Sequence, residues 1–295
     1  MSKYRGQWGG KIESGEEMWW SEPDPGLRRG RWHARLRFAL DVRQHFILKF
    51  FRTASRGWGG RPVLVDYGCG TGGTTLNFSS YLGQPITGYD VFETQLEIGR
   101  RFAAEGKSGC RFEMLSADGS IPLDSGSVDA IFSLDVLGHV PSIPAVLAHW
   151  RKALRPGTGA VLLFTEGHYG EADRSLMASF ARRGVADLCA AVPEHVSLFP
   201  RETLERMFDE AGLEVEERYS ANVWHFLFFP KDYVLALRGK TRARGWYALA
   251  WSWNRISRLF PFYPAPFNLL RLAVTRLLGA RAHGTAYFYR LRARE

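Results

Sequence analysis

The sequence predicts an α/β protein in which a parallel sheet carries helices on both faces. The first observation is an apolar run at 63–65, which has the composition of a buried strand and leads into Asp66 and a glycine-rich loop. The second is the helical pattern of residues 74–82, directly after that loop. The third is length, because 295 residues are enough for one complete α/β domain with additions.

The glycine-rich loop is the most informative local feature. Glycine occupies positions 68, 70, 72 and 73, which lets the backbone turn sharply and approach a ligand that a β-carbon would exclude. The following helix points its N-terminal amide groups at the same place. A strand, a glycine turn and a helix in this order predict a nucleotide-type pocket.

Further segments extend the predicted sheet. The expected strands are 86–90 ending in Asp90, 111–115 followed by Asp118, 128–135 ending in Asp135, 160–164, 214–219 and 286–291. The turn Leu154-Arg155-Pro156-Gly157 ends a helix before the fifth strand, with Gly157 expected in the left-handed conformation. A further helix is expected at 203–211.

These motifs together resemble class I S-adenosylmethionine (SAM)-dependent methyltransferases. The resemblance rests on D-x-G-x-G-x-G from Asp66, the acids at the second and third strand ends, the 128–140 segment through His139, and the L-R-P-G turn. It is ordered from about residue 63 to 166 and looser up to 215. It implies a Rossmann-like seven-stranded methyltransferase sheet whose last strand is antiparallel, with a helical insertion before that strand.

The resemblance also implies which residues contact the cofactor, S-adenosyl-L-methionine, which leaves as S-adenosyl-L-homocysteine. Asp90 would accept hydrogen bonds from the ribose hydroxyls, and Asp118 would accept one from the adenine amino group. The full set is Asp66, Gly68, Gly70, Gly72, Asp90, Val91, Ala117, Asp118 and Asp135.

Two other functions stay open from the sequence. Gly68, Gly70 and Gly73 also satisfy the G-x-G-x-x-G spacing of NAD(P)-dependent oxidoreductases, although Asp66 suits a cationic ligand better than a pyrophosphate. A non-catalytic SAM-binding scaffold is the other alternative. For a methyltransferase we expect O-methylation of a small molecule, a glycan or a lipid-linked metabolite.

The candidate catalytic residues follow the strands at the edge where this fold opens its crevice. They are His139, Glu166, His168 and His195. A general base is needed only for a hydroxyl or a protonated amine, and a histidine can serve because it titrates near neutral pH. His139 could instead serve packing alone. No metal site is predicted.

Positive charge is concentrated in residues 226–282. The whole chain has a net charge of +9, and this segment, with ten basic residues and one acid, accounts for all of it. Trp246, Leu249, Trp253, Ile256 and Phe260 recur on one helix face, and a second helix is expected around 267–277. The segment is interpreted as a cap packed on the sheet, or as a surface for an anionic membrane or lipid-linked acceptor. Nucleic acid is the least favoured partner.

The predicted organisation has four parts. Residues 1–55 form an N-terminal lid and helix, 56–225 the SAM-binding core, 226–282 the basic aromatic insertion and 283–295 the final strand. In the first part, Met18 to Trp20 belong to the expected lid, and one helical apolar pattern runs through Trp32, Leu36, Leu40, Phe46 and Phe50. Three cysteines without C-x-x-C spacing, no signal-peptide core and no apolar membrane span predict a cytoplasmic protein. If 226–282 binds an anionic membrane rather than capping the sheet, the protein would lie peripherally at the inner membrane face.

Overall fold

The computed structural model describes residues 21–187, 189, 196–259 and 264–295. The strands are β1 (Leu64–Tyr67), β2 (Thr87–Asp90), β3 (Arg111–Met114), β4 (Ala130–Leu134), β5 (Ala160–Glu166), β6 (Leu213–Ser220) and β7 (Ala286–Ala293). They form one sheet in the order β3-β2-β1-β4-β5-β7-β6.

The helices of the described residues lie on both faces of this sheet, and several of them belong to the chain segment that connects β6 to β7. They are α1 (Pro25–Arg28), α2 (Trp32–Leu40), α3 (Val42–Ala54), α4 (Gly73–Leu82), α5 (Glu93–Gly106), α6 (Ile143–Ala153), α7 (Leu176–Arg182), α8 (Arg201–Glu210), α9 (His225–Phe228), α10 (Pro230–Leu237), α11 (Arg244–Leu259) and α12 (Pro264–Leu278).

The sheet reverses its strand order beside β1. Strand β1 pairs in parallel with β2 on one side and with β4 on the other. Strands β2 and β3 therefore extend the sheet in one direction from β1, and β4 and β5 extend it in the opposite direction. Such a switch point opens a crevice at the carboxyl ends of the strands. Strand β7 lies antiparallel between β5 and β6. The predicted seven-stranded α/β sheet, with an antiparallel last strand and a helical insertion before it, is therefore confirmed.

Alternate residues of each strand build two cores on opposite faces of the sheet. Leu64 and Leu162 pack with the aromatic side chains of α3 and α4, and Phe46 of α3 stacks on a strand phenylalanine at 4.9 Å. Val65 and Val161 face the other way, toward α6 and α8. Because both faces are covered, the central strands β4 and β5 are mostly apolar and are buried except at their last residue.

The first strand begins one residue later than predicted, and the fourth begins two residues later. Val63 lies outside β1 because its N–H donates to the Asp129 carboxylate at 2.9 Å, whereas Asp66 lies within the strand. Asp129 is buried and also accepts from Nε of Arg155 at 2.9 Å. This carboxylate therefore ties the L-R-P-G turn to the start of the sheet, and Gly157 is left-handed at φ 73° as expected.

The N-terminal helical pattern is divided into two helices rather than forming one. Asp41 has an extended backbone, and its carboxylate caps α3 by accepting from the N–H of Arg43 at 3.0 Å and of Gln44 at 3.3 Å. Trp32 and Leu36 of α2 are exposed, 75 % and 50 % respectively, so the expectation of one continuous apolar stripe was wrong there. Met18 to Trp20 of the predicted lid lie outside the described residues.

The insertion packs its own small core and leaves much apolar surface exposed. Tyr233, Leu237 and Ala250 pack against Phe180 of α7. Of the predicted stripe on α11, Leu249 is 51 % exposed, and Trp246 and Ile256 are also exposed, whereas Trp253 donates Nε1–H to a backbone carbonyl of α9; Phe260 lies outside the described residues. In the part of the chain described, no helix is both long and apolar enough to cross a bilayer.

Candidate functional site

A cavity of about 370 Å³ lies at the switch point, over the carboxyl ends of β1, β2 and β4. Its wall includes most of the residues predicted to bind a cofactor, namely Asp66, Gly68, Gly70, Asp90, Val91 and Asp135, together with His139. The predicted strand ends and the glycine loop therefore meet in one place. The contacts that each of these residues makes with a ligand stay a prediction.

Asp66 is a buried carboxylate under the glycine loop. Its Oδ2 accepts a hydrogen bond from Oγ1 of Thr75 at 2.6 Å. Burial raises the pKa of Asp66 to about 6, the bond from Thr75 opposes that rise, and the charge of Asp90 adds to it. A positively charged ligand group in the cavity would favour the ionised carboxylate.

Asp90 is held at the end of β2 by three backbone N–H groups. Its Oδ2 accepts from Gly70 at 2.8 Å, and its Oδ1 accepts from Val91 at 2.7 Å and Phe92 at 3.1 Å. Burial raises its pKa, while these three bonds lower it. The network fixes the direction of the carboxylate and also joins it to the glycine loop.

The glycine at position 68 is required by both conformation and space. Gly68 has φ 78°, and a β-carbon there would come within 2.4 Å of the Val136 side chain. Gly70 is also left-handed, at φ 54°. A larger residue at position 68 would push the loop away from Val136, which follows β4, and so change the shape of the cavity.

The N-terminal segment lies directly on the glycine loop. The backbone of Ser21 both donates to and accepts from Oγ1 of Thr71 at 2.9 Å, and the N–H of Asp24 donates to Asn77 at 2.7 Å. Ser21 also lines the cavity. This segment therefore covers one side of the site, at the place where the sequence predicted a lid.

Arg43 and Gln44 at the start of α3 complete the wall, and sequence reasoning missed both. Nη1 of Arg43 lies 2.6 Å from Oδ2 of Asp135, and its guanidinium stacks over the ring of Phe164 at 4.8 Å. Asp135 has φ 59°, an unusual conformation for a residue other than glycine. No local motif indicates Arg43, because 92 positions separate it from its partner.

Three predicted cofactor contacts are not part of this wall. Gly72 is the N-cap residue of α4 at φ 77°, and a β-carbon there would come within 2.3 Å of the Phe112 ring. Ala117 and Asp118 are exposed, and Oδ1 of Asp118 accepts from the N–H of Ser120 at 2.9 Å and from its Oγ at 2.7 Å. Their roles stay predictions.

The candidate bases occupy different positions. His139 is buried and lines the cavity, whereas Glu166, the last residue of β5, and His168, two residues further on, are not part of that wall. His195 lies outside the described residues. A ring nitrogen of His168 lies within 4.8 Å of possible ligand atoms of Asp187 and Cys189, and burial raises the pKa of the Cys189 thiol to about 12.

The chemistry of the wall fits a cationic, hydroxyl-bearing ligand such as SAM. Asp66 and Asp90 offer two buried carboxylates, while Arg43, a cation in the wall, already pairs with Asp135. A phosphate would be repelled by both carboxylates. The residues present therefore fit a sulfonium and amine ligand better than a dinucleotide.

The sheet order, the switch-point cavity and the glycine loop define a Rossmann-like α/β protein of the nucleotide-binding kind. Residues 31–218 match the model of a family described as a methyltransferase domain. This match covers more than half of the chain, and the protein belongs to that family. The resemblance to class I SAM-dependent methyltransferases is thereby confirmed, and the family favours this interpretation over an NAD(P)-dependent oxidoreductase.

Among curated relatives, the ubiquinone biosynthesis O-methyltransferase of Thiobacillus denitrificans is 29% identical over 159 residues, covering 54% of this chain and 66% of the relative. The enzyme of the same name from Idiomarina loihiensis is 31% identical over 110 residues, 37% of this chain and 44% of the relative. Each match thus spans less than two thirds of the relative.

Among solved structures, a candidate sarcosine dimethylglycine methyltransferase from Galdieria sulphuraria superposes with a TM-score of 0.52. The two chains share 14% sequence identity, and the match covers 98% of this chain and 97% of the other. At that identity the likeness concerns the fold alone, and it agrees with the observed sheet.

Proposed function

We propose that this protein is a SAM-dependent methyltransferase that methylates an oxygen atom of a small molecule, a glycan or a lipid-linked metabolite. The observation that carries the proposal is the pair of buried carboxylates, Asp66 and Asp90, in a cavity at the glycine loop. The O-methyltransferases among the relatives support oxygen as the acceptor atom. SAM, when bound, supplies an electrophilic methyl group.

The residues of the wall would bind and orient this cofactor. Asp66 would attract its positive charge, and Asp90, held by three N–H donors, has one lone-pair site left on Oδ2 for a hydroxyl group. Gly68 and Gly70 would let the backbone approach closely. Ser21 would exclude water from one side, which favours methyl transfer to the acceptor over hydrolysis.

His139 is the proposed general base, because it is the histidine in the wall of the cavity. A hydroxyl acceptor must lose its proton as the new bond to carbon forms, and an imidazole can take that proton. Glu166, His168 and His195 remain second candidates that could act if the acceptor extends beyond β5.

Cofactor binding is the direct test of this proposal. Calorimetry should show binding of SAM and S-adenosylhomocysteine to the wild type and loss of binding in Gly70→Val, where a β-branched residue meets a left-handed backbone. Gly83→Ala is the matched control, since Gly83 is also left-handed but has nothing within 4 Å of an added β-carbon. Binding of NADH without binding of SAM would refute the proposal. If SAM binds, mass spectrometry of host extracts incubated with the protein and SAM would identify the methylated product.

Peripheral contact with an anionic membrane through 226–282 is part of the proposal. Trp251 is 43% exposed with the Arg255 guanidinium 4.9 Å from its ring, and Leu277 on α12 is 80% exposed. Exposed arginines at 242 and 244 flank this apolar surface in sequence. Tryptophan and leucine beside arginine suit the interface of an anionic bilayer, where a lipid-linked acceptor would be found.

A further inference from the structure

Arg271 on α12 is a largely buried cation that forms no ion pair with any residue the structure describes. Its Nε is buried and has no hydrogen-bond partner among the described residues. The negative charge of Asp41 favours the ionised form of Arg271. The Asp41 and Arg271 side chains nevertheless form no ion pair in the part of the chain described. Burial lowers the pKa of Arg271 to about 10, so it stays charged at neutral pH.

The guanidinium of Arg271 is held from one side by an aromatic stack. It lies over the ring of Phe229 at 4.5 Å, and the imidazole of His225 stacks on that ring at 4.7 Å. Burial lowers the pKa of His225 to about 4, with the charge of Arg271 contributing, so the histidine is neutral. The stack contacts the face of the guanidinium and leaves the N–H donors on its edge for another group.

A second cation lies close to the first. The charge of Arg43 acts unfavourably on Arg271, and Arg43 itself lines the cofactor cavity. Two arginines are thus brought close from α3 and α12, because Nδ2 of Asn268, one turn before Arg271, donates to the carbonyl of Leu40 at 3.1 Å, three residues before Arg43. Arg43 pairs with Asp135, just after β4, in the wall of the cavity.

Burying a cation without a partner is costly, and the cost is offset when an anion supplies charge and hydrogen-bond acceptors. Guanidinium groups match the oxygen geometry of phosphates and carboxylates. A permanent structural role would instead pair Arg271 with a carboxylate, as Arg290 pairs with Glu217 at 3.1 Å in the same protein. The contrast between these two arginines indicates that Arg271 is kept for a ligand.

We propose that Arg271 binds an oxyanion of the methyl acceptor, a phosphate or a carboxylate, beside the cofactor cavity. This inference rests on the proposed function, because the oxyanion belongs to the molecule that is methylated. It narrows the acceptor to an anionic compound with a hydroxyl group within reach of the cavity.

The test measures thermal stabilisation by sodium phosphate and by sodium acetate, with sodium chloride at equal ionic strength as the reference. Phosphate and acetate distinguish a phosphorylated from a carboxylated acceptor. At least one of them should stabilise the wild type, and Arg271→Met should weaken its apparent affinity about tenfold or more, the loss of one charged hydrogen bond. The matched control is Arg276→Met, an exposed arginine on the same helix.

A second readout separates a ligand site from a structural role. Without added anion, Arg271→Met should melt at the same temperature as the wild type or higher, because an unpaired buried charge has been removed. A melting temperature of Arg271→Met below that of the wild type would overturn the inference. Equal anion stabilisation of the wild type and Arg271→Met would also overturn it, as would no stabilisation of the wild type by either anion. Calorimetry with S-adenosylhomocysteine on the same samples tests the proposed function separately.

Discussion

Asp66 makes the affinity for a cationic cofactor depend on pH. Its pKa is raised to about 6, so its charge is present at pH 7 and is lost as the pH falls through 6. Calorimetry should show SAM binding about tenfold weaker at pH 5 than at pH 7, since Asp66 is then roughly nine-tenths protonated. Asp66→Asn should bind weakly at both pH values, and an unchanged ratio in that variant would contradict the assignment.

The same residue predicts the opposite trend for the stability of the ligand-free protein. Because the pKa of Asp66 is higher in the folded than in the unfolded chain, the folded state binds more protons between about pH 6 and 4. This group therefore increases the free energy of unfolding as the pH falls through that range. Urea unfolding of the wild type and Asp66→Asn at pH 5 and pH 7 should show this difference.

His139 is expected to affect turnover more than binding. Once an acceptor is known, His139→Ala should lower kcat by about two to four orders of magnitude, the usual effect of losing a general base, with little change in SAM affinity. His149→Ala, which removes a histidine outside the cavity wall, is the control. Near-normal turnover in His139→Ala would assign this histidine to packing.

At the scale of single elements, the strands were more predictable than the helices. The glycine loop and β-strand ends follow from local composition, and the strand starts differ from expectation by two residues at most. The division between α2 and α3 was missed because the apolar spacing continues across Asp41. The extended backbone of Asp41 ends α2, and the Asp41 carboxylate caps the start of α3. Hydrophobic periodicity detects neither feature.

The cap at Asp41 predicts a stability effect. Asp41→Ala removes the acceptor for two N–H groups at the start of α3 and should lower the free energy of unfolding by about 1 kcal/mol, as for other N-cap residues. Asp41→Asn keeps a capping oxygen and should lose much less. Urea denaturation of the three proteins checks this, and equal losses in both variants would show that the cap does not hold α3.

At the scale of the whole molecule, the cavity residues at the strand ends were predictable from the sequence, whereas the arginines from α3 and α12 were not. Asp66 and Asp90 belong to motifs that follow consecutive strands. Arg43 and Arg271 come from the N-terminal helices and the insertion, more than two hundred positions apart, and only tertiary packing brings them together. The sequence placed positive charge in 226–282 without indicating which arginines would be buried and which exposed.

The uneven distribution of charge leads to a prediction for the intact protein. Because 226–282 carries all of the net charge of +9, flotation with anionic vesicles at low salt should recover the protein with the lipid. High salt or purely zwitterionic vesicles should release it, since screening weakens these interactions. Replacing the exposed Arg242, Arg244 and Arg255 with glutamine should weaken binding about a hundredfold, at about 1 kcal/mol for each charge.

The control for that variant removes the same charge from the other end of the chain. Arg29, Arg31 and Arg56 are also exposed, and their replacement with glutamine lowers the net charge equally. Equal loss in both triple variants would indicate attraction by overall charge rather than by the insertion. Trp251→Ala tests the apolar contribution, because an inserted tryptophan should matter even at high salt. Protein that stays in the soluble fraction with anionic vesicles at low salt would leave 226–282 as a cap over the acceptor.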